Sequence, residues 1–534
     1  MEIDASVPAP FVFSPSQSWD GNDGSWSTFI FRIGTPSQTY KLLPSTAGQE
    51  IFVPVPEGCT PNDPPTCGAS RGAFPFQGLQ TGFKYNESST WRQIGIYDLI
   101  LESQLNYTGN GLYGLDTVGL MVDGNATFEN QVVAGIATKA YYLGIFGLGP
   151  KPSNFSNFEN PQPSLMQTMK NQEVIPSVSF AYTAGASYRI PKTLGSLTLG
   201  GYDSSKFQPS SNASSFPFSA DDSRVLSVGV QTITATGTLK GTVTLSSSST
   251  PVNVLIDSTV PHLWLPRAVC DAFEDAFGLT YDPYTDLYIF KDSAKHSELL
   301  QDKPSVVIAL GNDNDPSRLT QITLPFAAFD LEASYPIYPN ATSYFPIRRA
   351  ANDSQYTLGR AFLQEAYVIA DYERSNFSVH QVLSDSQTQK IVAIDPPNSA
   401  LIDTSPRPNK SLNAGAIAGI VIGAIAALAL IGALIWVSCC GKKRRTSECD
   451  SGGEQVEDNP VEFYQEDVKQ EPGSAKLGES HAELDSSGIC LMSDDAQHRT
   501  SDQSPAKFEE PHAELDSSRI FLMSDDAQRH EMPA

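Results

Sequence analysis

The sequence predicts an all-β fold for most of the chain, on the evidence of its composition and of short alternating stretches. Gly (39) and Pro (38) are frequent among the 534 residues and charged residues make up only 18%, which is typical of β-rich proteins with many turns. Apolar and polar residues alternate over residues 27–33 and 195–202, as in half-buried strands. A chain of this length is expected to form more than one packed unit.

An uncharged apolar run over residues 414–438 is long enough to cross a bilayer as one helix. Four basic residues follow at 442–445, so the positive-inside rule places the C-terminus in the cytoplasm and the preceding ectodomain outside. Asn-x-Ser/Thr sequons, which are glycosylated only on the lumenal side, all precede the run. They begin at Asn86, Asn106, Asn125, Asn154, Asn212, Asn340, Asn352, Asn376 and Asn409. The pattern predicts a single-pass glycoprotein of the plasma membrane or cell surface.

Three further segments lie before the ectodomain, between the ectodomain and the membrane span, and after the span. Residues 1–24 form an N-terminal extension without the basic start and apolar core of a signal peptide, so we expect a signal sequence that is missing from this sequence. Residues 384–413 hold several prolines and no alternation, which predicts a stalk. Residues 439–534 are polar, acidic and poor in aromatic residues, which predicts a disordered cytoplasmic tail. Residues 481–497 recur at 512–528, either as a duplicated motif for a cytoplasmic partner or as a neutral duplication.

Charge and cysteine content narrow the functional class. The formal net charge of -25 argues against nucleic-acid binding, because a phosphate backbone requires Lys and Arg. We expect neither a metal site nor a cofactor. Cys59 and Cys67 bracket a Pro-rich loop and predict a local disulfide in an oxidising compartment. Cys270 has no obvious partner and is expected to be a buried free thiol.

Several segments occur in the order that is typical of one family. They are residues 31–38 with Ile-Gly-Thr-Pro-Ser-Gln, residues 145–149, residues 195–202, Asp257 after an apolar strand, and residues 356–371. In these segments the chain resembles the pepsin-like aspartic peptidases, over roughly residues 25–382. The resemblance implies two β lobes, residues 25–205 and 206–383, that face one another across a cleft. The predicted membrane anchor and tail of the chain also resemble those of surface proteins of filamentous fungi.

The resemblance implies a chemistry that needs two aspartates, one from an Asp-Thr-Gly loop in each lobe. Neighbouring carboxylates share a proton, so one acts as a base on water while the other acts as an acid on the scissile carbonyl. At the family's usual spacing the first loop falls on residues 45–47, where Ser45 replaces the acid. The second loop, residues 257–259, keeps Asp257. Asp257 is therefore the remaining position of the catalytic pair, and Ser45 marks the lost one.

The other loop positions are also altered. Thr46 and Ser258 keep hydroxyls where the family usually locks its two loops together. Ala47 and Thr259 replace glycines, and their Cβ atoms are expected to crowd the turns. Arg360 replaces the Asp that often follows Leu-Gly in the closing segment.

A lone, exposed Asp257 would have a pKa of about 4 and no carboxyl partner. Loss of one member of a catalytic unit typically costs on the order of three to six decades in rate. A nucleophilic Ser45 would need a base, and His262, the nearest His in sequence, is better explained as a packed residue. Tyr107 is the candidate for the flap residue that closes over a substrate, or else belongs to a plain hairpin tip; a glycan at Asn106 would obstruct the cleft mouth.

Three hypotheses for function follow. The first is a catalytically inactive peptidase homologue that binds an extended peptide or protein ligand in its cleft as a receptor or sensor. The second is an active aspartic endopeptidase with unorthodox loops, and the third is a structural surface glycoprotein. Saturable peptide binding without cleavage supports the first, acid-dependent cleavage the second, and neither behaviour the third.

Overall fold

A computed structural model describes residues 7–397 except 75–80, 125, 157–158, 209–214, 313–317 and 384–387, and its elements are mainly strands. Those of the first half are β1 Phe11–Phe13, β2 Pro15–Asp20, β3 Trp26–Ile33, β4 Gln38–Ser45, β5 Ile51–Pro54, α1 Cys67–Ser70, β6 Arg92–Asp98, β7 Asn110–Leu120, β8 Thr127–Ile136, β9 Gly144–Gly147, α2 Leu165–Asn171, β10 Ser179–Ala186, β11 Thr193–Leu199 and β12 Gly201–Asp203.

The second half continues the same pattern of short strands with a few helices. Its elements are β13 Ser215–Pro217, β14 Ser227–Thr238, β15 Gly241–Ile256, β16 Leu263–Pro266, α3 Arg267–Phe277, β17 Thr280–Asp282, β18 Leu287–Ile289, α4 Ser293–Asp302, β19 Ser305–Leu310, β20 Thr320–Pro325, β21 Leu331–Ala333, β22 Thr342–Phe345, β23 Ile347–Ala350, β24 Thr357–Leu358, α5 Arg360–Leu363, β25 Ala366–Asp371, β26 Asn376–Gln381 and β27 Ile391–Ala393.

The first lobe is built on an eight-stranded sheet in the order β2-β3-β4-β9-β5-β8-β7-β6. Because β3 also pairs with β7, the sheet folds back on itself around an apolar interior. Phe29 and Phe31 are fully buried there, with ring centroids 6.0 Å and 4.6 Å from that of Phe146. Burial of such large apolar side chains is the main stabilising contribution to a lobe of this kind.

The second lobe contains a seven-stranded sheet in the order β20-β19-β14-β15-β24-β16-β23 and a four-stranded sheet in the order β17-β18-β22-β21. The helix α3 contacts β15, β16 and β23. Its Val269, Cys270 and Phe273 are buried, as expected for the apolar face of an amphipathic helix. Gly278 ends α3 with a φ of 64°, a left-handed conformation that glycine adopts without a steric penalty.

In each lobe the strand that leads into a predicted catalytic loop pairs in parallel with a later strand. Leu42–Ser45 of β4 lies beside Gly144–Gly147 of β9. Leu255–Ile256 of β15 lies beside Thr357–Leu358 of β24. Since strands with neighbours on both sides are held firmly, these pairings fix where β4 and β15 end.

A further six-stranded sheet, in the order β1-β11-β10-β25-β26-β13, combines strands from both halves of the chain. In it, Phe180 of β10 pairs with Ala370 of β25. The strands β1 and β2 come from residues 11–20, so much of the segment predicted as an N-terminal extension belongs to the sheets. The physical reason is that Phe13 is buried and packs on Phe29, at a centroid distance of 5.1 Å.

The predicted stalk begins against the domain, because residues 391–393 form β27 and pair with β12. Ile391 and Val392 are β-branched, which favours a strand. The rest of the stalk from residue 398, the predicted membrane span at 414–438 and the predicted tail at 439–534 lie outside the described residues. Among the helices that the structure describes, none combines the length and apolar character needed to cross a bilayer.

Candidate functional site

The loops that follow β4 and β15 meet where the two lobes face each other. The N–H of Thr46 donates to the Ser258 hydroxyl at 3.0 Å, and the N–H of Ser258 donates to the Thr46 hydroxyl at 3.0 Å. The Thr46 hydroxyl donates to the carbonyl of Ile256 at 3.2 Å, and the Ser258 hydroxyl donates to that of Pro44 at 2.6 Å. This reciprocal pairing satisfies buried polar groups of both loops and fixes their separation.

Ser45, at the position of the missing acid, is fully buried. Its hydroxyl accepts from the N–H of Gly48 at 2.8 Å and lies 2.7 Å from the hydroxyl of Thr259. Because Thr259 donates its own hydroxyl proton to Asp257, the proton of Ser45 must be donated to Thr259. The Ser45 proton is therefore held by a neutral hydroxyl and not by a base, which is unlike the arrangement of a serine nucleophile.

Thr259 connects the two loops and does not crowd them. Its N–H and its hydroxyl donate to Oδ1 of Asp257 at 2.9 Å and 2.7 Å. Neither Ala47 nor Thr259 has a positive φ, so a Cβ atom is tolerated at both positions. The crowding expected from the loss of two glycines is not observed, and the Thr259 side chain lies between Ser45 and the remaining aspartate.

Asp257 is fully buried, so the expectation of an exposed aspartate with an ordinary pKa was wrong. Burial raises the pKa of the Asp257 carboxyl, while hydrogen bonds from Thr259 and Glu102 and the charge of Arg360 act in the opposite direction. Its Oδ2 has no hydrogen-bond donor of ordinary geometry among the described residues. This oxygen is thus available to a proton shared with a neighbouring acid.

A second carboxyl group, which was not predicted from the sequence, lies beside Asp257. Glu102 stands in the loop between β6 and β7 and is 3% exposed. Its carboxyl group lies close enough to that of Asp257 for the two to share a hydrogen bond, and burial together with the Asp257 charge raises the pKa of Glu102 well above the usual range. Two carboxyl groups form such a bond only when one of them is protonated. The sequence prediction that Asp257 lacks a carboxyl partner was therefore wrong.

The sequence contains one weak signal for Glu102. It directly follows the apolar residues Leu99, Ile100 and Leu101 and precedes the flap candidate Tyr107. A carboxylate in an apolar run is unusual on a plain surface loop, but nothing in the run shows which distant residue the carboxylate meets.

Residues 99–109, called here the cleft loop, close the cleft above Asp257. Leu105 is buried against Val260 and Trp264 of the second lobe. Glu102 and Asn106 have φ values of 54° and 64°, and a left-handed residue other than Gly costs on the order of 1 kcal/mol or more. Tertiary contacts must therefore hold the loop in place, and its Tyr107 lines a cavity of about 20 Å³ together with Thr259 and Arg360.

Tyr107, the flap candidate, lies within the cleft loop and lines this cavity. Its ring centroid is 5.6 Å from that of Tyr141, and burial raises the pKa of its hydroxyl to about 12. The side chain of Asn106 is exposed, so this sequon is accessible to solvent.

Arg360 forms hydrogen bonds to the backbone of the second catalytic loop. Its guanidinium donates to the carbonyls of Ser258 and Thr259 at 3.0 Å and 2.7 Å and reaches both carboxylate oxygens of Asp23 at 3.3 Å. A buried arginine with these partners explains why this position carries a cation in place of an aspartate. It also places a positive charge near Asp257.

His262 is 3% exposed, and its two ring nitrogens have no hydrogen-bond partner among the described residues. Burial lowers the pKa of His262 well below its usual value, so the ring is neutral. It contacts the ring of Tyr344 at a centroid distance of 5.8 Å. These surroundings are those of a packed residue and place no base on Ser45.

Glu50, the carboxylate closest to the first loop in sequence, is directed elsewhere. It accepts from the hydroxyl of Ser153 at 2.6 Å and from that of Tyr113 at 3.1 Å. Burial raises the pKa of Glu50. The sequence neighbour is therefore not the spatial neighbour of Asp257.

The remaining sequence-predicted residues lie away from the cleft loops. Cys59 and Cys67 form a disulfide, as predicted, and Cys270 is a buried free thiol. Within the described residues no group of three or more His, Cys, Asp and Glu side chains is arranged to hold a metal ion. Sequon side chains that are exposed or partly exposed are those of Asn86, Asn106, Asn154, Asn340, Asn352 and Asn376, while Asn125, Asn212 and Asn409 lie outside the described residues.

Comparison with known proteins is consistent with this architecture. Residues 29–382 match the family model for eukaryotic aspartyl proteases. Secreted aspartic protease 8 of Candida albicans is 24% identical over 367 residues, which cover 68% of this chain and 77% of the relative. Secreted aspartic protease 1 of the same organism is 25% identical over 354 residues, which cover 66% of this chain and 79% of the relative.

Proposed function

Because the chain belongs to the eukaryotic aspartyl protease family, we propose that its two-lobed domain binds extended peptides without hydrolysing them by the two-aspartate mechanism. The observation that carries this proposal is the buried Ser45, whose hydroxyl is engaged by Gly48 and Thr259 at the position of the first acid. Hydrolysis by that mechanism needs a carboxyl group from each catalytic loop. Peptide binding needs only backbone hydrogen-bonding groups and side-chain pockets, which a cleft of this fold retains.

A second, larger cavity supports a binding function. A cavity of about 390 Å³ borders the small cavity at Tyr107 and shares Gly21, Asn22 and Tyr142 with it. Trp19 and Tyr335 also line this larger cavity. Aromatic side chains with nearby polar groups are typical of sites that hold the side chains of a ligand.

Glu102 favours a second candidate function, an acid endopeptidase with an unorthodox pair of acids. Together with Asp257 it supplies two carboxyl groups in contact, one of which can act as a base on water and the other as an acid on the carbonyl. The relatives are named as proteases. Glu102, however, belongs to the loop that closes the cleft and not to the first catalytic loop, so the first candidate accounts for the geometry better.

One experiment separates these functions. The purified full-length chain is incubated with a random peptide library from about pH 3 to about pH 7, and both cleavage and retention of peptides are measured by mass spectrometry. Asp257→Ala is run in parallel, with Ser37→Ala, an exposed turn residue, as the matched control. We expect saturable retention and no cleavage.

The other outcomes are equally informative. Cleavage that is lost in Asp257→Ala, retained in Ser37→Ala and blocked by a statine-type inhibitor would establish the endopeptidase. Absence of both retention and cleavage at every pH would overturn both candidates and leave a structural surface glycoprotein.

We also propose that the domain is displayed at the cell surface on residues 414–438, with glycans on the ectodomain and the tail repeats available to a cytoplasmic partner. Support comes from the basic residues 442–445, from the sequons preceding the apolar run, and from relatives named as secreted. Protease added to intact cells should remove the domain and leave a C-terminal epitope protected. Protection of the whole chain would contradict surface display.

A further inference from the structure

The cleft loop lies between the two lobes, in the space where a bound peptide would lie. Leu105 is 1% exposed and packs on Val260 and Trp264, which belong to the second lobe. The loop itself leaves the first lobe between β6 and β7. A peptide that is to reach Asp257 must therefore displace this loop.

Hydrogen bonds attach the loop to both lobes. The hydroxyl of Tyr141 donates to the carbonyl of Leu101 on the first-lobe side. The side-chain amide of Gln355 donates to the carbonyl of Gln104 on the second-lobe side. These contacts are polar and uncharged, so they do not respond to pH in the range where carboxyl groups titrate.

The carboxyl pair is the titratable contact of the loop. Glu102 meets Asp257, and its Oε2 accepts from the side-chain amide of Gln104 at 2.8 Å. The charged and titratable groups around the pair are Arg224, which acts on Glu102, Arg360, which acts on Asp257, and the hydroxyls of Tyr107 and Tyr141. His262 stays neutral and does not contribute a charge.

We propose that a proton shared by Glu102 and Asp257 holds the cleft loop closed, and that loss of this proton as the pH rises opens the cleft to peptides. With one proton, Oδ2 of Asp257 gains the hydrogen-bond partner that the other described residues do not provide. Without it, two buried carboxylates in contact repel each other, and the loop is the part that can leave.

The sign of the pH dependence follows from the direction of the titration. Burial raises the pKa of both carboxyl groups in the closed state, so the closed state binds a proton more tightly than the open state. Its advantage is complete at acidic pH and is lost as the pH rises through the raised pKa. For one linked proton the opening equilibrium changes by about tenfold per pH unit in that range.

Hydrogen exchange of the full-length chain measures loop opening without any ligand. The amides of Leu105, Asn106 and Tyr107 are hydrogen-bonded within the loop and report on it. After correction for the intrinsic pH dependence of exchange, we expect their protection to fall by about tenfold or more between about pH 4 and about pH 8.

Two variants and a control test the origin of that change. In Glu102→Gln and in Asp257→Asn an amide donates the hydrogen bond at every pH, so loop protection should become independent of pH. Either variant suffices if the other does not fold. Glu129→Gln, an exposed carboxylate on β8, should retain the full pH dependence.

The role of the shared proton in admitting peptides rests on the proposed peptide binding. Loop opening and peptide binding can nevertheless fail separately in experiment. Loop protection that is constant with pH, or a pH dependence that persists in both amide variants, would overturn the role of the shared proton whatever the peptides do. A loop that opens with pH while no library peptide is retained at any pH would support the shared proton and overturn the binding function.

Discussion

Thr259 links the first loop to the remaining aspartate through its side chain. In place of a glycine it has a hydroxyl that accepts a hydrogen bond from Ser45 and donates one to Asp257. Four groups from Gly48 to Asp257 are thereby joined in one chain of hydrogen bonds. Such a chain of hydrogen bonds stabilises the junction of the lobes, with the Ser45 hydroxyl at the position where the resemblance places the first acid.

Replacement of Ser45 by Ala should therefore destabilise the domain. The change leaves the N–H of Gly48 without its acceptor and the Thr259 hydroxyl without its donor in a fully buried place, which costs about 1–3 kcal/mol in the free energy of unfolding. Urea denaturation measures the loss. Ser37→Ala, at an exposed turn, should stay within about 0.5 kcal/mol of the unchanged protein. Equal stability of the two variants would show that the hydrogen-bond chain does not form.

Sequence patterns predicted residues with a local signature better than residues that meet across the fold. Asp257 was located because the apolar strand before it and the order of the surrounding segments resemble the second catalytic loop of the pepsin-like aspartic peptidases. Glu102 was missed because its partner lies 155 positions further along the chain (257 minus 102) and only the hairpin of β6 and β7 brings them together. Burial of Asp257 was missed for the same reason, since the cleft loop that covers it is a tertiary feature.

At the scale of elements, the two catalytic loops resemble each other in the strands that precede them and in the hydrogen bonds that they form. Each follows a strand with a parallel neighbour, and each gives a hydroxyl and an N–H to the other. The arrangement ties the end of β4 to the end of β15, so four hydrogen bonds between the loops contribute to the relative position of the lobes. Each loop donates the same two kinds of hydrogen bond to the other, although the two loops differ in sequence.

A double-mutant cycle on Thr46→Val and Ser258→Ala tests this coupling. Each single change should cost about 1–3 kcal/mol, because it leaves buried N–H and carbonyl groups of the other loop unpaired. The double variant should cost less than the sum, with an interaction energy of about 0.5–3 kcal/mol from urea denaturation. Strict additivity would mean that the two hydroxyls act independently.

At the scale of the whole molecule, the lobes are joined in several places besides the catalytic loops. The hydroxyl of Tyr335 donates at 2.6 Å to Asp63, which lies within the loop closed by the Cys59–Cys67 disulfide. The hydroxyl of Tyr344 donates to the carbonyl of Asp23 at 2.6 Å. The six-stranded sheet adds continuous backbone pairing between β10 and β25. The domain boundary at residue 205 drawn from the sequence therefore separates lobes that share a sheet.

A fragment that ends at residue 205 is expected not to fold by itself. It lacks β25, so β10 exposes an unpaired edge and the buried face of the shared sheet. Co-expression with a fragment of residues 206–410 should recover a soluble complex, which size-exclusion chromatography and circular dichroism can detect. A folded, soluble first fragment would contradict the dependence of the lobes on their common sheet.

The same sheet sets an order of events during protein synthesis. Its β1 is among the first segments made and its β26 among the last of the domain, yet only β11, β10 and β25 separate them in space. A ribosome that has just passed residue 365 has produced a nearly complete first lobe, in which β10 is paired with β11 but still lacks its second neighbour, β25. The nascent chain must be kept from pairing that edge with another chain until residues 366–381 emerge. The interval between the synthesis of β10 and that of β25 is therefore the period in which this edge is exposed to mispairing.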